Sequence, residues 1–121
     1  MKIHGREIKF LKTVKGTTDL AKLCPNNNLN LIGEVFNGED MEAMQNAMGV
    51  FIVAMNEGYE YNKMYEQPGY EPNPLTLQEV MYLDHDVFLP LFKSALASFQ
   101  KDAKSIEAES ASKKKVVKKS N

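Results

Sequence analysis

The sequence predicts a mainly α-helical single domain with a short N-terminal β-hairpin and a disordered, basic C-terminal tail. Three observations predict it. Apolar residues recur at steps of three and four along two stretches: Met41, Met44, Met48, Phe51 and Met55, and then Phe88, Phe92, Ala95, Phe99, Ala103 and Ile106. That spacing gathers side chains on one face of a helix. Alternation of apolar and charged residues around a glycine is found near the start, in Lys2–Lys12. From about Glu107 the chain turns to Ala, Ser, Glu and then Lys, without the apolar residues that offset ordering entropy. A chain of 121 residues has room for one core, which puts a domain at 1–108 and a tail at 109–121.

The elements follow in order. Ile8 and Phe10 alternate with charges and Gly5-Arg6 can turn, so a hairpin forms in which Gly5 takes a positive φ. Thr17 or Thr18 is expected to cap a short helix, with Asp19 in its first turn, Leu20 and Leu23 on one side, and Pro25 as its stop. Asn26, Asn27 and Asn28 make a loop before a short helical piece carrying Leu29, Ile32, Val35 and Phe36. Asn37 is expected to cap a long helix whose positive end Glu39, Asp40 and Glu42 complement, running to Glu57 with Gly58 as its C-terminal stop. Residues 59–74, with Pro68, Gly69, Pro72 and Pro74, are expected to be loop with one turn around Tyr61–Tyr65. Thr76-Leu77-Gln78-Glu79 fits a capping box and opens another helix. Pro90 marks either the start of the last helix or a kink in it.

Charge is segregated along the chain. Residues 1–33 hold six bases and two acids; residues 34–86 hold eleven acids and only Lys63; residues 113–121 hold five lysines. Such asymmetry bears on partners more than on fold. It fits a solvated acidic face with a solubilising tail, or head-to-tail contact between a basic end and the acidic middle of the next copy. A single cysteine excludes an internal disulfide. The longest apolar run, Met48–Met55, is far below the roughly 20 residues of a membrane span. No secretory signal is visible, and a soluble cytoplasmic protein is expected.

Catalytic residue types are sparse. Asp84-His85-Asp86 is the one cluster, but neighbours on a helix point about 100° apart, so a helix cap with a surface histidine is expected rather than a metal site or an acid–base pair. Cys24 precedes a proline, lacks an activating neighbour and is expected to be buried. No phosphate loop or nucleophile elbow is present, so neither enzyme activity nor a cofactor is expected. The methionine stripe has two readings. It is the core of a small helical domain, or an adaptable apolar groove. Tyr59, Tyr61 and Tyr65 likewise either pin a loop or supply contact area. Lys113-Lys114-Lys115-Val116-Val117-Lys118-Lys119 could meet phosphates. It has no interleaved aromatics for stacking, and nucleic acid is not the expected partner.

The order of parts resembles the tail assembly chaperones of long-tailed bacteriophages. It is carried by Gly5-Arg6-Glu7-Ile8-Lys9-Phe10, Thr13-Val14-Lys15-Gly16, the Leu20–Leu23 helix, Leu75-Thr76-Leu77-Gln78-Glu79-Val80, the amphipathic stretch Phe88–Phe99 and the polar tail. The resemblance covers about residues 2–106 and implies a non-enzymatic role in the cytoplasm of an infected bacterium. Such proteins coat the long apolar tape measure protein, recruit the major tail tube protein, self-associate and are absent from the finished virion. A longer frameshifted form is also implied, with Lys113–Lys115 written in A-rich codons as the slippery run. Candidate partner-binding residues are Met41, Met44, Met48, Phe51, Met55, Tyr59, Tyr61 and Tyr65. The alternatives are a nucleic-acid-binding regulator acting through its tail and a structural head–tail connector subunit.

Overall fold

The structure, a computed structural model, describes the backbone of residues 1–118 and the side chains of residues 1–101. A central helix, α3 (Met41–Glu66), organises the rest. The mainly helical class with one small hairpin is as expected, whereas the expected disorder of 109–121 falls outside the fully described residues.

The sequence places the limits of α3 wrongly at both ends. Asp40, not Asn37, is the N-cap, its carboxylate accepting from the Ala43 N–H at 3.2 Å. Asn37 instead donates its side-chain amide to the Gly33 carbonyl at 2.7 Å. At the other end Gly58 lies inside the helix, which continues through Tyr59, Tyr61 and Tyr65 to Glu66. Glycine serves proximity here, not termination. A Cβ on Gly58 would sit 2.4 Å from the Leu11 carbonyl oxygen, and the Leu11 N–H donates to the Met55 carbonyl at 2.9 Å. An extended strand of chain thus lies directly on the helix backbone, which any larger residue would prevent.

That strand descends from the hairpin. β1 (Lys2–Ile3) and β2 (Arg6–Glu7) pair antiparallel, Lys2 opposite Glu7. The turn is His4-Gly5, with φ of 50° and 81°, rather than Gly5-Arg6; two consecutive positive φ values match the twist of a tight hairpin. Ile3 and Ile8 are buried and tie the hairpin to the body, as a hairpin too small to stand alone requires.

Helix α1 (Val14–Ala21) is capped by Thr13, whose hydroxyl accepts from the Gly16 N–H at 3.0 Å. Thr17 and Thr18, the expected caps, lie inside the helix and donate back to the Val14 carbonyl. Asp19 therefore falls beyond the first turn, where it pairs with Lys15 at 2.7 Å. Two 3-10 turns, Pro25–Asn27 and Leu29–Leu31, lead into the short α2 (Ile32–Val35). Asn26 and Asn27 hold φ near 55°, a left-handed backbone that asparagine tolerates.

After Gln67 the chain runs back along α3. Contacts step from Glu60, which meets Tyr70 and Asn73, to Asn56, which meets Leu75, and to Gly49, which faces Leu77 and Met81. Helix α4 (Leu77–Met81) carries the expected capping box, the Thr76 hydroxyl and Glu79 backbone N–H at 3.0 Å and the reciprocal pair also at 3.0 Å. Helix α5 (His85–Lys118) then starts beside the beginning of α3, with Gln45 and His85 3.1 Å apart. Phe92 and Phe99 each pack edge-on against Phe51 further along. α3 and α5 therefore run in the same direction. Phe36, beside α2, closes the cluster against Phe51 and Phe92 at ring separations of 5.3 and 4.9 Å. Pro90 lies inside α5, one turn and a half from its start, where one intrahelical bond to the Asp86 carbonyl is forfeited.

Candidate interaction surface

The eight candidate residues do not share one surface. Met48, Phe51 and Met55 belong to the core, with Phe51 fully buried and Met55 2% exposed, and Met44 packs against it. This corrects the reading of the stripe as an open groove: its middle is sealed by α5 and α2, and only its first member, Met41, stands out at 64% exposure. Tyr61 and Tyr65 are exposed, but twenty helical residues separate Met41 from Tyr61, and at 100° per residue they face opposite sides. Tyr59 is half-buried, with the ammonium groups of Lys9 and Lys63 about 6 Å from its ring.

Of the two readings of the tyrosine-rich segment, pinning to its own domain holds for Tyr70. Glu60, buried on α3, accepts from the Tyr70 hydroxyl at 2.5 Å and from the Asn73 N–H at 3.0 Å. The hydrogen bond to Glu60, with burial second, pushes the Tyr70 phenol up to about 12. One turn earlier Asn56, fully buried, donates to the Lys9 carbonyl at 2.9 Å and accepts from the Leu75 N–H at 2.8 Å. Arg6 of the hairpin reaches the Asn73 carbonyl and the Glu79 carboxylate. These polar side chains reach the chain on both sides of α3 and fasten the return segment to it.

The other chemistry-bearing residues are accounted for similarly. Asp84 caps α5, accepting from the Asp86 N–H at 2.7 Å, while His85 stacks on Phe88 and meets Gln45. Among the described residues no three His, Cys, Asp or Glu side chains converge as a metal site would need. Cys24 is buried, its thiol directed at the Leu20 carbonyl at 3.5 Å, and burial pushes that thiol up. No helix among the described residues is long and apolar enough to cross a membrane.

What the sequence reasoning missed lies around α4. Leu77 and Met81, one turn apart, sit over Gly49 of α3, a Cβ at Gly49 falling 2.7 Å from the Met81 sulfur. Both side chains nevertheless remain exposed, Met81 at 39%, beside Tyr82 at 83%. Along α3 the same strip continues through Gln45, which meets His85, to Met41; on α5 the exposed Leu89 lies one turn beyond His85. A scattered exposed apolar residue is ordinary; here five stand on the adjoining elements α3, α4 and α5 and on the residue that ends α4. Acidic residues open both α3 and α5. Glu39, Asp40 and Glu42 at the start of α3 and Asp84 and Asp86 at the start of α5 are exposed, and none forms an ion pair among the described residues. The available signal was the Leu77–Met81 spacing together with a glycine inside the apolar run of α3.

No known protein family, characterised protein or solved structure matches this chain.

Proposed function

We propose that this protein is a non-enzymatic assembly chaperone of the phage-tail type, which lends apolar surface to a long helical client, the tape measure protein, and helps bring tail tube subunits to it. The single observation behind this reading is the exposure of Met41, Leu77, Met81, Tyr82 and Leu89 on adjoining elements, with exposed carboxylates at the starts of α3 and α5. Methionine and tyrosine suit such a surface, the first because it adapts to many apolar shapes, the second because it gives area at low entropy cost. A helix laid across α4 would place its apolar face on Leu77 and Met81, the mode in which amphipathic helices enter grooves. The carboxylates would keep the coated client dispersed by mutual repulsion. The proposal carries with it absence from the finished particle and a longer frameshifted form.

The test is co-expression with the large helical protein encoded beside it. The wild-type chain is expected to keep that client in the soluble fraction and to co-purify with it. Met81→Asp with Tyr82→Asp should abolish both effects while leaving the circular dichroism of the chaperone unchanged. An insoluble client beside the wild-type chain, or equal rescue by the double variant, contradicts the assignment. So does recovery of the chain from purified particles, which is the behaviour of a connector subunit.

A further inference from the structure

We infer that Asn37 is a site of spontaneous covalent modification, at which the Gly38 backbone nitrogen displaces the side-chain amide as ammonia and leaves aspartate or isoaspartate behind. Asn37-Gly38 is the one Asn-Gly pair in the sequence, and glycine carries no side chain to obstruct the attack. The pair lies in the exposed link between α2 and α3. Gly38 stands in open space, with nothing within 4 Å of where a Cβ would be, and among the described residues its N–H meets no acceptor. The other described asparagines fail the same test. The nitrogens that follow Asn26, Asn27 and Asn30 donate to the carbonyls of Cys24, Pro25 and Asn28. Asn46, Asn56 and Asn62 lie inside α3, where the following nitrogen is committed to the helix ladder. Asn73 precedes a proline, whose nitrogen has no proton to lose, and Asn28 precedes a leucine, whose side chain crowds the approach. One contact restrains the Asn37 amide, the bond from its Nδ2 to the Gly33 carbonyl at 2.7 Å. That bond is exposed to solvent, and such a bond is open for roughly a tenth of the time.

The Gly38 nitrogen gives its proton to hydroxide and bonds to Asn37 Cγ. The Cγ–Nδ2 bond breaks, and the amide leaves as ammonia with a proton from water. Water then opens the cyclic succinimide. Breaking the new Cγ–N bond yields aspartate, whereas breaking the original backbone C–N bond yields isoaspartate, with the chain rerouted through Cβ. In sum, water is consumed, ammonia is released and nothing is oxidised or reduced. Either product removes the donor from the Gly33 carbonyl, and aspartate sets a carboxylate against that oxygen. Isoaspartate also lengthens the backbone between Phe36, which packs against Phe51 and Phe92, and Asp40, which caps α3. The modification thus loosens the α2 side of the core, slowly and in one direction, and it proceeds in the purified chain with no client.

The experiment incubates the full chain at body temperature in mildly acidic and mildly alkaline buffer, follows ammonia release and locates the change by peptide mass spectrometry. Isoaspartate is read separately, by methylation with a purified isoaspartyl carboxyl methyltransferase and a labelled methyl donor. Asn37 is expected to change before any other asparagine, faster in the alkaline buffer, with both products present. Gly38→Ala has open space and needs no positive φ, so it should slow the reaction severalfold and leave the circular dichroism unchanged. Asn37→Asp, made directly, should lower Tm by about 4 °C. Three results would overturn the inference: an Asn37 that stays intact while a short unstructured peptide of residues 36–40 converts, equal rates in the wild type and Gly38→Ala, or modification led by Asn26–Asn28. An unchanged Tm for Asn37→Asp would overturn the claim that the tie to Gly33 holds α2.

Discussion

Replacing Gly58 with alanine should destabilise the protein even though alanine is the better helix former. A Cβ at this position would lie 2.4 Å from the Leu11 carbonyl oxygen and 2.8 Å from Thr13 Cγ2, where ordinary contact begins at 3.4 Å. The obstructing atom is backbone, so the strand must retreat by about 1 Å, and retreat stretches the Leu11 N–H bond to Met55. Overpacking of this kind costs about 1–3 kcal/mol, and losing the hydrogen bond adds about 1 kcal/mol. The helix-propensity gain of about 1 kcal/mol offsets part of that. A net loss of about 1–3 kcal/mol lowers Tm by roughly 4–12 °C in a domain of this size, measurable by thermal unfolding in the far-ultraviolet. Two sister substitutions set the scale. Gly33→Ala, with nothing within 4 Å, should stabilise by up to about 1 kcal/mol. Gly49→Ala meets the flexible ends of Met81 and Leu77 and should come out near neutral. An unchanged or raised Tm for Gly58→Ala would refute the reasoning, because it would mean that the strand does not lie on the helix.

Other outcomes follow from the polar fastenings and the exposed face. Asn56→Ala strands the Lys9 carbonyl and the Leu75 N–H in the interior and should cost about 2–4 kcal/mol, read from denaturant unfolding. Tyr70 holds its proton more tightly folded, at about 12 against an ordinary 10. Its contribution to stability is therefore intact below pH about 10 and is lost as pH rises toward about 12; Tyr70→Phe should flatten that alkaline loss in denaturation curves taken across the range. Cys24, buried with its thiol pushed up, should react with a thiol reagent only at the rate of unfolding, and fast labelling of the native chain would contradict its burial. Tyr82→Asp, on a side chain 83% exposed, should change stability by no more than about 0.5 kcal/mol while reducing client recovery.

Much of the fold was legible where a signal is local. The hairpin glycine, the Thr76–Glu79 box, the proline after α1 and the Phe88–Phe99 spacing each act within a few residues, and each element they imply is present. Illegible were features set by distant chain. Gly58 looks like a helix stop until Leu11, 47 residues away in sequence, is known to lie on it. Thr13 outranks Thr17 and Thr18 as the cap because the incoming strand, not the local threonines, fixes where α1 begins. The candidate surface fared likewise. Periodicity locates an apolar stripe without saying what covers it, so Met48, Phe51 and Met55 were indistinguishable from a groove. The Leu77–Met81 spacing is legible, but a five-residue helix carries too little pattern to say which of its sides stays uncovered.

The shared direction of α3 and α5 has an electrical consequence. Antiparallel neighbours cancel their backbone dipoles, whereas these two add, leaving two partial positive poles side by side near Gln45 and His85,. The carboxylates of Asp40, Glu42, Asp84 and Asp86 neutralise that doubled pole, each by roughly 0.3–1 kcal/mol. Acidity at this end thus balances the backbone's own field, and whatever cation arrives there competes with two helix termini for the same four anions.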